Sequence, residues 1–213
     1  MKKAMAIMLV VAIVSISHQL QAEILNDSIP KPKKEMKVGV RIAPSLNFFN
    51  YDDLSFAQVT SDYKVGFGAG AVFDWKLSEF NHARLEPYME IQPVVNNSIN
   101  SNIEAVTEFN NFVFGLDAIP LVLTYGGKIK PQISFGGFAK YYLSTSQETT
   151  LNGNSVNNFE ANTSSLQYGL NYGVGVYIGK RLVEFRYYQS LNDFVENTQV
   201  PNSINQVQLI LVY

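Results

Sequence analysis

Seven charged residues, Arg41, Asp74, Lys76, Arg84, Glu86, Glu184 and Arg186, sit at positions where polar and apolar residues alternate. Residues two apart on a strand share a face. Asp74 with Lys76, Arg84 with Glu86, and Glu184 with Arg186 are therefore same-face couples of opposite sign. Such a set could pair internally, relay protons or hold an anion. Buried charges need partners in every case, so mutual pairing requires the least and is the expected state, an ion-pair plug.

Other chemistry-bearing groups are sparse. Ser78, Glu79 and His82 form a Ser-Glu-x-x-His grouping that imitates a hydrolytic set, but it falls in a short turn where a solvated histidine is expected. Gly66, Gly68 and Gly70 resemble a phosphate-cradling loop only in composition. They recur every second residue inside a strand, whereas a phosphate loop joins a strand to a helix. The chain has no cysteine, which removes disulfides, thiolate metal sites and cysteine nucleophiles. Asp52, Asp53, Glu104 and Glu108 could hold calcium weakly at most. No catalytic, cofactor or metal residues are expected.

The elements that position these groups are strands. Residues 36–48 set Val38, Val40, Ile42, Leu46 and Phe48 against Gly39, Arg41, Ala43, Ser45 and Asn47, and Pro44 is expected to mark a bulge. Residues 63–76 alternate Tyr63, Val65, Phe67, Ala69, Ala71, Phe73 and Trp75 with Lys64, glycines, Asp74 and Lys76. Similar alternation covers 83–95, 106–125, 129–143, 166–178 and 183–191, giving eight strands with the terminal stretch 205–213. There Val207, Leu209, Leu211 and Tyr213 share one face. The register around Pro120 is open. Connections at 50–62, 96–102, 145–162 and 192–203 read as long polar loops, and those between them as short turns.

At the start, Lys2 and Lys3 precede an apolar run over 4–16 and a cleavage-like Leu20-Gln21-Ala22, so residues 1–22 read as a secretory signal. Residues 23–35, with Pro30, Pro32 and three lysines, read as a periplasmic linker, and 36–213 as the folded domain. The 213 residues contain 46% hydrophobic and 13% aromatic side chains with a formal charge of -2. Nucleic acid is an improbable partner at that charge. No later apolar run approaches the roughly 20 residues of a membrane helix.

Alternation alone fits either a soluble barrel with its apolar face inward or a membrane barrel with that face outward. Loops alternating long and short, seven-residue apolar faces and aromatic rings near both ends (Tyr63 and Tyr141, Trp75 and Tyr213) favour the second. The expectation is an all-β fold, an eight-stranded antiparallel up-and-down transmembrane β-barrel with both termini periplasmic.

The terminal stretch resembles the C-terminal assembly signal of bacterial outer-membrane barrels. Ile119-Pro120-Leu121-Val122-Leu123-Thr124-Tyr125 resembles a segment of the PorT-like outer-membrane β-barrel family. Lys37-Val-Gly-Val-Arg41, residues 130–138, 168–175 and 185–191 are similar to other strands of that family. The family usually has an acid just before Ile-Pro, where this chain has Ala118 with Asp117 one position earlier. Either a bulge near Pro120 turns Asp117 into the lumen, or a role attached to that acid is lost.

The resemblance implies an outer-membrane barrel, with some members resembling secretion-system components. The expected function is non-enzymatic, through surface loops in binding, adhesion or envelope integrity. The alternative is a secretion-system component docking periplasmic or membrane partners. Expected partners are outer-membrane lipid, periplasmic chaperones and the barrel-assembly machinery, with envelope or secretion-system proteins as further candidates.

Overall fold

A computed structural model describes residues 36–51, 58–100, 103–126, 129–156, 162–195 and 202–213. The predicted signal and linker, together with Asp52 and Asp53, lie outside them. Within residues 34–213, ten strands follow in order: β1 Met36–Tyr51, β2 Gln58–Thr60, β3 Lys64–Lys76, β4 Asn81–Asn100, β5 Ile103–Thr124, β6 Ile129–Leu151, β7 Asn154–Val156, β8 Leu166–Ile178, β9 Arg181–Ser190 and β10 Asn202–Val212.

Eight of them close a ring, β1-β3-β4-β5-β6-β8-β9-β10, in which every neighbour is antiparallel and β10 pairs back onto β1. Closure leaves none of these strands with an unpaired edge along the wall. The fold is thus an all-β, eight-stranded, antiparallel up-and-down barrel. Short β2 and β7 extend the sheet at one end by pairing with β4 and β6.

The two faces of the wall have opposite character. Val38, Val40, Val65, Ile91, Ile133 and Phe185 are exposed on the outside, while Arg41, Asn47, Glu86, Gln167 and Arg186 are fully buried inside. Strand parity puts them there, because each strand presents its apolar residues at one parity and its polar residues at the other. In the closing strand, Gln206, Gln208 and Ile210 are buried. Val207, Leu209 and Leu211 are half-exposed outward, and Tyr213 stands exposed at the end.

The short connections, from β3 to β4, β5 to β6 and β8 to β9, lie at one end, beside Met36 and Tyr213. Longer excursions occupy the other end, and here the loops expected over 96–102 and 145–162 are corrected. β4 runs to Asn100 and β5 resumes at Ile103, and the two stay paired to the tip. β6 continues to Leu151 and turns through Asn152 (φ 48°) and Gly153 (φ 80°) into β7. Positive φ at both central residues is the hairpin geometry that Asn-Gly favours.

Two further expectations are corrected. Pro44 marks no bulge, since β1 keeps one register with β3 through it and resumes the same register with β10 beyond it. A proline can sit there where the ladder asks no N–H of it. The 192–203 connection is not wholly polar in role, because Phe194 folds back and is completely buried. It packs edge-on against Phe109 at 5.4 Å and tilted against Tyr142 at 5.1 Å. With Phe49, Val94, Val113 and Ile204 these rings form an apolar cap across the loop end of the interior.

Candidate functional site

Beneath the apolar cap the lumen is filled by charged and amide side chains. Its centre is a pair of arginines facing three acids. Arg186, on β9, donates to Glu184 Oε1 and Oε2 at 3.0 Å each, to Glu86 Oε2 at 2.8 Å and Oε1 at 3.0 Å, and to Asp117 Oδ2 at 2.9 Å. Arg41, on β1, donates to Glu86 Oε2 at 2.8 Å and Asp117 Oδ2 at 2.9 Å. Its guanidinium carbon lies 4.2 Å from the centre of the Tyr88 ring, and the Tyr188 hydroxyl donates to Asp117 at 2.6 Å. Forked guanidinium groups suit this task because each can serve several carboxylate oxygens at fixed angles.

Below that layer, toward the turn end, Arg84 on β4 donates to Glu184 Oε2 at 3.0 Å and to Gln132. Asp74 on β3 lies 3.4 Å from Arg84 Nε, accepts from the Tyr177 hydroxyl at 3.1 Å and is 2.8 Å from His82 Nδ1. Above the centre, Lys140 on β6 donates to Glu90 at 3.2 Å and to Gln206 at 2.6 Å, and Gln206 also donates to Asn47 and Glu90. The interior ion pairs join the cations Arg41, Arg84, Lys140 and Arg186 to the acids Asp74, Glu86, Glu90, Asp117 and Glu184. Four against five is close to balance, as a low-dielectric interior demands.

The structure therefore brings Arg41, Asp74, Arg84, Glu86, Glu184 and Arg186 together and leaves Lys76 out. Lys76 is half-buried at the last position of β3 and joins no ion pair among the described residues. At a strand end its long side chain can reach water. His82 corrects the expectation of a solvated turn histidine: it belongs to β4 and pairs with Asp74, its side chain 15% exposed. The Ser-Glu-x-x-His grouping does not assemble, because the Ser78 hydroxyl instead accepts the backbone N–H groups of Phe80 and Asn81. Of the loop acids, Glu108 pairs with Lys64 at 2.8 Å.

Asp117 is the residue whose place the sequence left open. It faces inward by the regular alternation of β5, with no exposed surface. The β5–β6 register shifts between Ala118 and Leu121, so Pro120 and Leu121 both face out while Val122 and Thr124 return inward. The bulge thus lies on the far side of Asp117, re-aiming the strand end rather than the acid. Glu90 and Lys140 were not among the candidate residues. Their polar parity on 83–95 and 129–143 was the available signal.

The filled lumen has a measurable consequence. In planar bilayers the folded protein should show no steady open channel, since the apolar cap and the buried ion pairs fill the interior among the described residues. A large, stable conductance would contradict that.

No family model and no curated protein matches the chain. Among solved structures it is similar to Neisserial surface protein A (NspA), with 11% identity and a TM-score of 0.40 over 84% of this chain and 97% of that one. It is similar to the outer membrane enzyme PagL at 15% identity and a TM-score of 0.36, over 81% and 97% of the two chains. Ail, the attachment invasion locus protein of Yersinia pestis, gives 11% identity and a TM-score of 0.35 over 84% and 98%. The eight-stranded ring stands on its own strand pairing, and no role passes from these proteins to this chain.

Proposed function

We propose that this chain is a non-enzymatic outer-membrane β-barrel with a closed lumen that acts through its loop-end sheet, in surface binding, adhesion or envelope integrity. The observation that carries this reading is the inverted polarity of the wall, apolar side chains out and paired charges in. A water-soluble barrel would have to bury the outer face, and a belt of exposed aliphatic and aromatic residues around a closed sheet fits lipid. The turn end, with Met36 and Tyr213, faces the periplasm in this reading. β4, β5 and β6 hold 20, 22 and 23 residues, about twice the 9–11 of a spanning strand. The surplus forms the sheet offered to partners.

Replacing 96–104 and 147–156 by tight turns should leave folding into detergent intact and abolish attachment of cells to surfaces. Unchanged attachment would remove the loop-end role, and a monomer soluble without detergent would remove the membrane. We read Val207, Leu209, Leu211 and Tyr213 as the element met by the barrel-assembly machinery. Deleting Tyr213 should lower membrane yield more than the double loop replacement does, and equal yields would refute that. The resemblance to PorT-like proteins supports a second reading, a secretion-system component, and an inward Asp117 ahead of Ile119-Pro120 is in keeping with it. Loss of cargo export on gene deletion is its test, and unchanged export would exclude it.

A further inference from the structure

The turn-end mouth of the barrel is a cavity of about 530 Å³, lined by residues from all eight wall strands and closed below by the charged layers of the lumen. Lys37 on β1, Lys130 on β6 and Lys180 in the β8–β9 turn stand at its rim. All three are exposed, and none makes an ion pair among the described residues. The acid in the lining, Asp74, is already occupied by Arg84, His82 and Tyr177.

Two groups deeper in the cavity complete a donor set. Thr124, at the end of β5, is 7% exposed, and its hydroxyl has no hydrogen-bond partner among the described residues. Its oxygen is open to the cavity rather than sealed in the wall. His82 has its Nδ1 engaged by Asp74, which leaves Nε2 as the ring nitrogen without a partner among the described residues. With Nδ1–H given to Asp74, Nε2 accepts from a protonated phosphate oxygen in the neutral ring and donates to a phosphate oxygen in the doubly protonated ring. Val72, Leu182 and Val212, at the inward parity of their strands, supply an apolar wall between these groups.

We propose that this mouth is a binding site for a phosphate monoester, its phosphate taken by Lys130, Lys180, Lys37, Thr124 and His82 and its organic part laid on the apolar wall. The donors approach from five separate segments around the cavity. A planar carboxylate, with two oxygens in one plane, cannot meet them all, whereas a tetrahedral dianion offers an oxygen to several directions. Lysines act as point charges toward phosphate and need no fixed fork, and the volume falls within the range of small-ligand pockets. The site rests on the barrel geometry and is independent of what the loop-end sheet binds.

The test is 31P NMR and calorimetric titration of the full-length protein folded in a zwitterionic detergent. One probe is glycerol 3-phosphate and the other is lysophosphatidic acid in the micelle. Saturable one-to-one binding of the soluble ester is expected, weakened roughly tenfold or more in Lys130→Ala/Lys180→Ala and in Thr124→Val. Lys64→Ala, at the loop end, should bind as the parent does. Binding of the lipid probe alone, lost in the same variants, would assign the site to a headgroup and keep the phosphate chemistry. Absence of saturable binding by both probes, or binding that survives the double lysine variant, overturns the proposal. A heat-modifiable gel shift certifies that each variant is folded.

Discussion

Arg186→Met should cost on the order of 3–5 kcal/mol of folding stability, the largest loss expected from any single lumen change. The guanidinium spans Glu184, Glu86 and Asp117. Methionine would fill much of the space while leaving three buried acids with fewer positive partners. Most of the penalty comes from those stranded carboxylates rather than from the lost attraction. Neutralising one of them should therefore return part of the stability, so Arg186→Met with Glu86→Gln should be more stable than Arg186→Met alone. Arg186→Lys should fall between parent and Met, because one ammonium cannot fork to both glutamates. Urea unfolding in detergent, followed by the heat-modifiable gel shift, measures all four proteins. An Arg186→Met variant within about 1 kcal/mol of the parent would show that the layer is not stabilising in the way its geometry implies.

Gly169→Ala should be nearly as damaging, and Gly137→Ala nearly silent, though the two glycines are diagonal neighbours across β6 and β8, Gly137 opposite Leu170 and Gly169 opposite Phe138. A methyl on Gly169 would overlap the backbone carbonyl oxygen of Gln189 on β9 and come 2.7 Å from Phe138 Cε1. A main-chain atom in a closed ring cannot step aside without moving its strand. A loss of about 3 kcal/mol is expected, at the upper end of overpacking costs. A methyl on Gly137 meets nothing closer than the Gly169 carbonyl oxygen, at 3.5 Å. There, the entropy saved in the unfolded chain should leave stability unchanged or raised by up to about 1 kcal/mol. Folding yield and urea midpoints of the two variants decide it, and equal behaviour would contradict the close approach at Gly169.

These two sites differ in how far the sequence announces them. Parity alone places Arg186 and Glu184 on one face, because a period of two has only two outcomes. Parity carries no information about which inward residue meets which across a ring. Glu90 and Lys140 are 50 residues apart and meet at 3.2 Å, a result of strand stagger, which is set by the closed barrel as a whole. Asp117 was ambiguous because one extra residue in β5 reverses every face beyond it. Only the paired strand shows that the extra residue follows the acid.

The loop-end strands are hidden in the sequence for a compositional reason. Asn, Ser and Thr at 96–102 and 145–162 favour turns in isolation, but a paired strand that extends past the closed ring needs no apolar face, so the usual alternation fades while the ladder continues. Asn152-Gly153 was the one local signal that a hairpin lay inside that stretch. Phe194 had no such signal, since a single ring between polar residues becomes a core residue only when a lumen is there to receive it.

The seam between β1 and β10 is where the wall joins its own beginning. Inside it, Arg41 donates to Gln208, and Gln206 to Asn47 and Glu90. During assembly a sheet lacking its last strand would hold Arg41 and Glu90 on a face without these amide partners. The eleven residues of β10 therefore complete the solvation of charges laid down more than a hundred residues earlier. Opening the seam again would break polar contacts inside the wall as well as the ladder along it, so the junction works as a latch set from within.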